Sequence, residues 1–416
     1  MALLPVAEAR SRLLEGAAPG QAEMVDLSQA AGRVLAEPLK ALRTQPPFDA
    51  SAMDGYAVRA QDIATLPAFL DVIGEAPAGR PFTGRLDAGQ AVRIFTGAPV
   101  PQGADTILIQ EDAKSAGERR IEATESTAKG RHIRRAGLDF SEGELLLDRG
   151  RRLDPAALSL AASANHAQVR VWKRPLVAVL ATGDELLPPG SMLGPGQIVS
   201  SNLYGVAAVV AAHGGLVVDL GIARDDRAEI SAAVDRAIAM RADVLVTLGG
   251  ASVGAHDLVR EALIDRGMEL DFWRIAMRPG KPFMFGRFET SRAIGLPGNP
   301  VASLVCSWLF LGPLVARLGG LPTDIEIRTG ILGCDLSAND HREDYLRATV
   351  EWRGDRPIVT PCALQDSSML SVLARSDALL IREPHAVAAT AGSACRYIPL
   401  RQGKQGERMA NEFTRF

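Results

Sequence analysis

The segment between residues 175 and 320 constrains the fold more than any other, because strand-like and helix-like sequences alternate along it. The apolar run PLVAVLATG has the length of a buried strand, and the helical pattern SNLYGVAAVVAAHGG follows it. LVVDLGIARDD and ADVLVTLGG are further strand-like runs, and a helix-like segment follows each of them. Strands joined by crossover helices form parallel sheets, so residues 175–322 are predicted to form a doubly wound α/β domain.

The rest of the chain predicts a multidomain protein that combines this α/β domain with β-rich domains. Residues 46–145 contain short β-rich runs separated by Gly, Pro and Asp turns, and residues 323–403 have the same character. Residues 1–45 and 146–174 show helical patterns, and we expect these two segments to pack together as one elongated domain. The first β-rich domain would then be an insertion. Residues 404–416 form a polar tail.

Two signals carry the helical prediction for these flanking segments. In the first segment, LSQAAGRVLAEPL has apolar positions at helical spacing until Pro38 ends the pattern. In the second segment, Asp154 is predicted to be the N-cap of a helix whose first residue is Pro155.

The charge balance and the scattered cysteines and histidines narrow the chemistry. The net charge is −3, so the chain as a whole lacks the basic character of a nucleic-acid-binding protein. The cysteines form no CxxC pair and the histidines no HxxxH pair, which argues against a zinc site. A catalytic metal would need oxygen ligands, which favours magnesium. The apolar runs are shorter than a membrane span of about 20 residues. The N-terminus does not have the pattern of a secretory signal. We therefore expect a cytoplasmic protein.

Acidic side chains follow three consecutive strands of the predicted sheet, at the point where each strand ends. The strand ends contain Asp184 and Glu185, then Asp225 and Asp226, and then Asp257 after GGASVGAH. Ligands of doubly wound sheets bind beyond the carboxyl ends of the strands. Glycine turns there favour phosphate, and the carboxylates would repel it unless magnesium lay between them. The sequence therefore predicts a metal-assisted phosphate site.

Local structural roles offer an alternative account of some of these residues. Asp226 and Glu229 have the D-x-x-E spacing of a capping box, which makes Asp225 the preferred functional acid. Asp257 could simply cap the helix DLVREAL, and GGASVG alone is a weak signal because glycine turns are common. The combination of three such strand ends favours the functional interpretation.

Two later segments predict a basic corner and a stiff loop. Arg278 and Lys281 flank a Pro-Gly turn in RPGKP, an arrangement suited to an oxyanion, although a solvated surface pair would have the same sequence. In GLPGNP, Asn299 is predicted to cap a helix and Pro300 to be its first residue. A rigid turn from strand to helix explains that loop by itself.

In the first β-rich domain, two loops carry polar side chains beside glycine turns. FDASAMDGYAV contains Asp49 and Asp54, and RIFTGAPVP contains Thr96. Taken alone, ordinary loop chemistry accounts for them better than a functional role does.

Taken together, these segments resemble the molybdopterin molybdenumtransferase family, which includes MoeA and the gephyrin E-domain. FDASAMDGYAV, RIFTGAPVPQGADTILIQED, RRAGLDF, ATGDEL, RDD, GGASVG, MRPGKP and GLPGNPVAS follow one another in the family's order, between about residues 4 and 402. The resemblance implies a MogA-like α/β domain, an inserted β-domain, a helical segment-swapped domain and a C-terminal β-barrel-like domain, assembled as a homodimer. It also implies that molybdate is inserted at the dithiolate of adenylylated molybdopterin, with magnesium-dependent release of AMP.

The resemblance also implies roles for individual residues. Catalytic roles fall on Asp54, Thr96, Glu185, Asp225 and Asp257, and the last three would bind magnesium. Substrate binding falls on Asp139, Thr182, Gly249, Gly250, Ser252, Gly254, Pro297 and Pro300. Molybdate binding falls on Arg278, Lys281, Pro282, Ser368 and one of Arg342 and Arg347.

The chain departs from the family pattern at a few positions. Arg278 stands where lysine is usual, Ala255 where an acid or its amide is common, and Ser200 where an aspartate is common. None of these changes removes a core carboxylate, so we expect an active enzyme. The alternatives are a pterin adenylyltransferase that uses ATP, and a non-catalytic scaffold of the gephyrin type. Transient contacts with other proteins of cofactor biosynthesis are expected, and nucleic acid and membrane partners are not.

Overall fold

The computed structural model describes residues 3–249 and 258–401 of the chain. By its internal contacts the chain divides into two compact units. One unit is Met24–Val171, and the other combines Met1–Glu23 with Trp172–Phe416.

The chain begins with helix α1 (Val6–Leu14), which belongs to the larger unit. Its buried residues Val6, Ala9 and Leu13 recur at helical spacing and join the main core of that unit. The helix ends where Glu15 adopts an extended conformation. The helical prediction is therefore confirmed for this first part of residues 1–45.

The Met24–Val171 unit is built mainly from short strands. Its strands, with the first and last crossing its boundaries, are β1 (Ala22–Asp26), β2 (Leu39–Lys40), β3 (Ala50–Ser51), β4 (Gly55–Val58), β5 (Ala68–Ala76), β6 (Gln90–Ile94), β7 (Thr106–Ile109), β8 (Ala113–Ser115), β9 (Arg120–Ala123), β10 (Ile133–Arg134), β11 (Leu145–Leu147) and β12 (Gln168–Trp172). A six-stranded sheet has the order β7-β4-β6-β5-β9-β8, and the pairs β1-β12, β10-β3 and β11-β2 form two-stranded sheets. Two apolar clusters pack within this β region. The prediction of β-rich structure here is confirmed.

The prediction of a helix over LSQAAGRVLAEPL is wrong. Only a short 3-10 turn, Leu27–Gln29, forms there, and Leu35 then makes a β-bridge with Val171. Gly32 has a φ of +72°, which ends the helical path, and its N–H donates to the Leu153 carbonyl at 2.9 Å. Backbone pairing with distant segments has overridden the apolar spacing, which had predicted a helix from local sequence alone.

The second flanking segment is helical only in part, because β11 and β12 occupy its two ends. Helix α2 (Pro155–Ser163) starts with Pro155, and Asp154 caps it by accepting a hydrogen bond from the Ala157 N–H at 2.8 Å. Its buried face, Ala157 and Ala161, packs in a core with Leu35 and Leu153.

The α/β domain follows. Its strands are β13 (Leu176–Thr182), β14 (Leu186–Leu187), β15 (Ile198–Val199), β16 (Leu216–Ala223), β17 (Val244–Leu248), β18 (Glu269–Arg274), β19 (Met277–Arg278), β20 (Pro282–Arg287) and β21 (Arg292–Leu296). Its helices are α3 (Asn202–Ala212), α4 (Arg227–Ala239), α5 (Leu258–Asp265), α6 (Pro300–Cys306) and α7 (Gly312–Leu318). The central sheet has the order β16-β13-β17-β21-β20-β18, in which β16, β13, β17 and β21 are parallel. Apolar clusters cover both faces, as predicted for a doubly wound sheet.

Helices α6 and α7 are continuous through the π-helical segment Ser307–Leu311, which gives a 19-residue helix, Pro300–Leu318. By length and composition this helix could cross a membrane, but 83% of its most apolar window is buried inside the protein. It is therefore explained as a core helix.

The C-terminal domain is a closed barrel. It contains β22 (Arg328–Leu332), β23 (Glu343–Arg353), β24 (Arg356–Pro361), helix α8 (Leu370–Arg375), β25 (Ala378–Arg382) and β26 (Ala394–Pro399). The strand order β23-β24-β22-β26-β25 closes because β25 also pairs with β23. Strand β19 joins β23 in parallel, with Arg278 opposite Asp344, and this pairing fixes the predicted basic corner against the barrel.

Candidate active site at the strand ends

The parallel register brings the predicted acidic strand ends to one edge of the sheet. Thr182 is opposite Ala223, and Ala181 is opposite Leu248, so β13, β16 and β17 end side by side. Beyond these ends, the Asp225 N–H donates to Asp184 Oδ1 at 3.2 Å. We call Asp184, Glu185 and Asp225 the acidic rim.

The carboxylates of the acidic rim repel one another. Burial, together with the charges of Asp184 and Glu185, raises the pKa of the Asp225 carboxyl above its ordinary value. An added cation would relieve this repulsion, and carboxylate oxygens are the ligands that Mg²⁺ prefers. Within residues 3–249 and 258–401, no group of three or more His, Cys, Asp or Glu side chains is already arranged to hold a metal ion. The predicted third ligand, Asp257, lies outside the described residues, as do Gly250, Ser252 and Gly254.

Asp226 has the capping role that its sequence spacing indicated. Its Oδ1 accepts hydrogen bonds from the N–H groups of Ala228 and Glu229, both at 2.9 Å, at the start of α4. Glu229 in turn accepts from the Arg224 N–H at 2.9 Å. These bonds commit Asp226 to the helix, whereas the Asp225 side chain accepts no hydrogen bond from the part of the chain that the structure describes and is available to a ligand.

A buried hydroxyl without a partner lies beside the rim. Thr182 is 5% exposed, and its Oγ1 has no hydrogen-bond partner among the described residues. Gly249 lies next to it with a φ of +95°, and a Cβ there would lie 2.9 Å from the Thr182 carbonyl oxygen. The site therefore requires glycine at 249, and the free hydroxyl is a polar group that a bound ligand could satisfy.

The loop containing Pro297 and Pro300 is fixed at both ends. Asn202 Nδ2 donates to the Gly298 carbonyl at 2.8 Å, and Pro300 begins α6 as predicted. Asn299 occupies the N-cap position, but its side chain does not cap the helix. It donates instead to Ser367 Oγ at 2.8 Å, which ties the loop to the C-terminal domain.

In the basic corner, the two predicted cations differ. Arg278 donates to Asp344, whose side chain is 4% exposed, and Nη1 of Arg278 lies 3.6 Å from Asp340 Oδ2. Arg342 donates to the same Asp340 at 2.7 Å, and these arginines hold the pKa of Asp340 well below its usual range. Lys281 is exposed and has no ion pair among the described residues, so its charge is free.

The other predicted oxyanion residues of the C-terminal domain have mainly internal partners. Arg347 is 1% exposed, its Nη2 donates to the Asp366 carbonyl at 3.2 Å, and burial lowers the pKa of its guanidinium. Ser368 Oγ donates to Asp366 Oδ1 at 2.6 Å. Pro282 begins β20 directly after Lys281.

The carboxylates Asp340 and Asp344, which neutralise Arg278, were missed because their distance in sequence gave no sign of this pairing.

In the Met24–Val171 unit, Asp54 and Thr96 form a direct pair. Asp54 Oδ1 accepts from the Thr96 N–H at 2.7 Å and from Thr96 Oγ1 at 2.8 Å, and these bonds lower the pKa of Asp54. Arg93, which sequence reasoning missed, adds a smaller Coulombic effect in the same direction. Asp139 is exposed, with its N–H bonded to the Gln45 carbonyl at 3.0 Å. The hydrogen bonds from Thr96 thus favour the ionised form of Asp54.

Three family models match successive parts of the chain. They are the MoeA N-terminal region (domains I and II) at residues 4–165, a probable molybdopterin binding domain at 178–317, and the MoeA C-terminal region (domain IV) at 329–400. A molybdopterin molybdenumtransferase of Nostoc is 38% identical over 336 residues, which cover 78% of this chain and 76% of the relative. One of Haemophilus influenzae is 39% identical over 319 residues, which cover 76% and 78%. The chain belongs to the molybdopterin molybdenumtransferase family.

The fold of this family member agrees with that assignment. The crystal structure of a molybdopterin biosynthesis MoeA protein from Pyrococcus horikoshii superposes with a TM-score of 0.82 at 28% identity. The match covers 97% of this chain and 100% of the solved one. The predicted resemblance and multidomain fold are confirmed, and the chain is an enzyme of molybdenum cofactor biosynthesis. Neither the adenylyltransferase nor the scaffold alternative is supported.

Proposed function

We propose that this molybdopterin molybdenumtransferase inserts molybdate at the dithiolate of adenylylated molybdopterin, with magnesium-dependent release of AMP. The carrying observation is the acidic rim, where burial and the charges of Asp184 and Glu185 raise the pKa of Asp225 and no cationic side chain among the described residues pairs with these carboxylates. Such a rim suits a nucleotide-linked substrate only if a divalent cation accompanies it. Oxygen-only donors make magnesium the fitting ion.

The proposed magnesium ligands are Glu185 and Asp225, together with Asp257 from the adjoining segment. Bound magnesium would neutralise charge on the phosphoanhydride and on the departing AMP. Asp226 stays with its helix and takes no part, since its oxygen already accepts two backbone hydrogen bonds. Thr182 would donate its free hydroxyl to the substrate at the edge of the rim.

The basic corner is proposed to hold molybdate as the second substrate. Lys281 supplies the free positive charge, and Arg278 and Pro282 shape the turn around it. Ser368 and either Arg342 or Arg347 would complete the oxyanion contacts from the C-terminal domain. The site would hold both substrates at once. A molybdate oxygen could then reach phosphorus only when both substrates are docked, and this would couple metal insertion to AMP release.

We further propose that the active form is a cytoplasmic homodimer in which Asp54, Thr96 and Asp139 act from a second subunit. The hydrogen bonds from Thr96 keep Asp54 ionised and aimed, as a shared site would require. Mixing an Asp54→Ala protein with an Asp225→Ala protein tests this arrangement, because only a shared site would regain activity in the mixed dimer. Activity of the mixture no higher than that of the two inactive parents would refute it.

The direct test of the function is incubation with adenylylated molybdopterin, magnesium and molybdate, following AMP and pterin-bound molybdenum together. Both products should appear in equal amounts and only when molybdate is present. Absence of AMP release, or formation of the adenylate from ATP and unadenylylated molybdopterin, would overturn the proposal.

A further inference from the structure

A cavity opens on the α3 side of the parallel sheet, next to the strand ends that carry the acidic rim. Its volume is about 270 Å³. Much of its wall is apolar, with Pro188 and Pro189 on one side, Leu203 and Tyr204 of α3 on another, and Ile222 at the end of β16. Small-molecule sites usually measure about 300–1,000 Å³, so this cavity suits one ring system rather than a whole nucleotide-linked ligand.

A β-bulge in the edge strand β16 brings a carboxylate to this cavity. Val179 is opposite Asp219, but Ala181 is opposite Ile222, so β16 contains one extra residue at this point. Gly221 accommodates the bulge with a φ of +86°. Bulges of this kind redirect a side chain and are frequent beside active sites. Here the side chain that lines the cavity is that of Asp219.

The two oxygens of Asp219 are in different situations. Oδ1 accepts a hydrogen bond from the Gly221 N–H at 2.8 Å, which fixes the orientation of the carboxylate. Oδ2 has no hydrogen bond or ion pair among the described residues. The carboxylate is exposed, is oriented by the bulge and retains unused acceptor capacity beside a largely apolar wall.

An aromatic face completes the set. The Tyr204 side chain is 58% exposed although it lines the cavity, so its ring remains open to a ligand. A planar heterocycle with neighbouring N–H donors could stack on this ring and donate to a carboxylate at its edge. Adenine does not offer two such adjacent donors on its pairing edge, whereas an aminopyrimidinone does.

Residues that line the cavity lie close in sequence to residues of the acidic rim. Ala181 and Ile222 line the cavity, and they immediately precede the strand ends from which Thr182 and Asp225 extend. A ligand whose ring occupied the cavity could extend along these strand ends towards the rim.

We infer that this cavity binds the pterin ring of the substrate, with Asp219 accepting the N–H groups of its aminopyrimidinone edge and Tyr204 covering one face. The inference rests on the proposed function, because that function supplies a pterin. It adds a specificity site that is separate from the metal and molybdate residues.

Asp219→Asn is the decisive variant. The asparagine carbonyl can still accept the Gly221 N–H, so the bulge is kept, while an NH₂ group replaces the oxygen that would face the ring. We expect the KM for adenylylated molybdopterin to rise about 10- to 100-fold with kcat within about twofold, the loss typical of a charge-assisted hydrogen bond. Binding of 6-hydroxymethylpterin, followed by its fluorescence, should weaken by a similar factor. Tyr204→Ala should weaken it about tenfold.

The matched control is Asp87→Asn. Asp87 is an exposed aspartate of the Met24–Val171 unit, and it is distant in sequence from the residues that line the cavity. The variant should leave both the KM and the pterin affinity unchanged. Wild-type AMP release, measured in the same preparation, separates the two claims. If the wild type releases AMP while Asp219→Asn retains its KM and pterin affinity, the inference is overturned and the proposed function stands. If the wild type releases no AMP, the proposed function has failed instead.

Discussion

The acidic rim and the basic corner are both clusters of charge, but they are balanced in opposite ways. In the rim, Asp225 lies near two like charges, and its pKa is raised. In the corner, Arg278 is neutralised by the buried Asp344 and by Asp340. An incoming cation would therefore stabilise the rim, whereas the corner is balanced without a ligand and Lys281 has no ion pair among the described residues.

The largest expected effect comes from removing the central rim carboxylate. Asp225→Ala should lower the rate of AMP release by at least about 100-fold, because the variant lacks a carboxylate that we propose as a magnesium ligand. Stability should not fall, since the raised pKa means that ionised Asp225 opposes folding. This cost is absent below its unfolded pKa and grows as pH rises through the folded pKa. Denaturant unfolding without magnesium at pH 7–8 should show the variant as stable as the wild type or slightly more so, and a clear loss of stability would contradict the account.

Removing Arg278 should have the opposite effect on stability to removing Asp225, because it should lower the free energy of unfolding. Arg278→Ala leaves Asp344 buried without its cation, and we expect the free energy of unfolding to fall by about 2–3 kcal/mol. This is below the range for a fully buried pair because the Arg278 side chain is 47% exposed. Urea unfolding checks the value, and Arg278→Ala combined with Asp344→Asn should recover part of the loss. No recovery in the double variant would show that the pair is not the cause.

Lys281 sharpens the contrast within the corner. Lys281→Ala should raise the molybdate concentration for half-maximal AMP release about tenfold, because it removes the cation without an ion pair. The free energy of unfolding should change by less than about 0.5 kcal/mol, as for an ordinary surface substitution. Molybdate titration and urea unfolding of the same preparation test both statements. An unchanged molybdate requirement would remove Lys281 from the site.

The smallest effect is predicted at Asp226, the neighbour of Asp225. Asp226→Ala removes the cap of α4 and should cost about 1 kcal/mol of stability. Its AMP release at saturating magnesium should stay within about threefold of the wild type. A loss of activity comparable to that of Asp225→Ala would mean that the assignment of the two neighbouring aspartates is reversed.

The sequence predicted the strand ends well because periodicity and chain direction determine which edge of a parallel sheet they share. It also distinguished Asp225 from Asp226, since a capping box has a fixed spacing. It failed for LSQAAGRVLAEPL, where apolar spacing suggested a helix but Gly32 and pairing with distant strands decided the structure.

Long-range pairing also explains what was missed in the basic corner. Asp344 neutralises Arg278 because β19 joins β23 of the barrel, and no local pattern announces a parallel pairing between segments 66 residues apart. The bulge that orients Asp219 is similar, because it depends on the register of β16 against β13. Such features follow from tertiary register, which a single sequence does not reveal.

The magnesium dependence of AMP release, compared between the wild type, Asp225→Asn and Asp226→Asn, tests the central claim most directly. If the rim holds the cation, the magnesium concentration for half-maximal release should rise at least about tenfold in Asp225→Asn and stay near the wild-type value in Asp226→Asn. The same magnesium dependence in all three proteins would contradict the account.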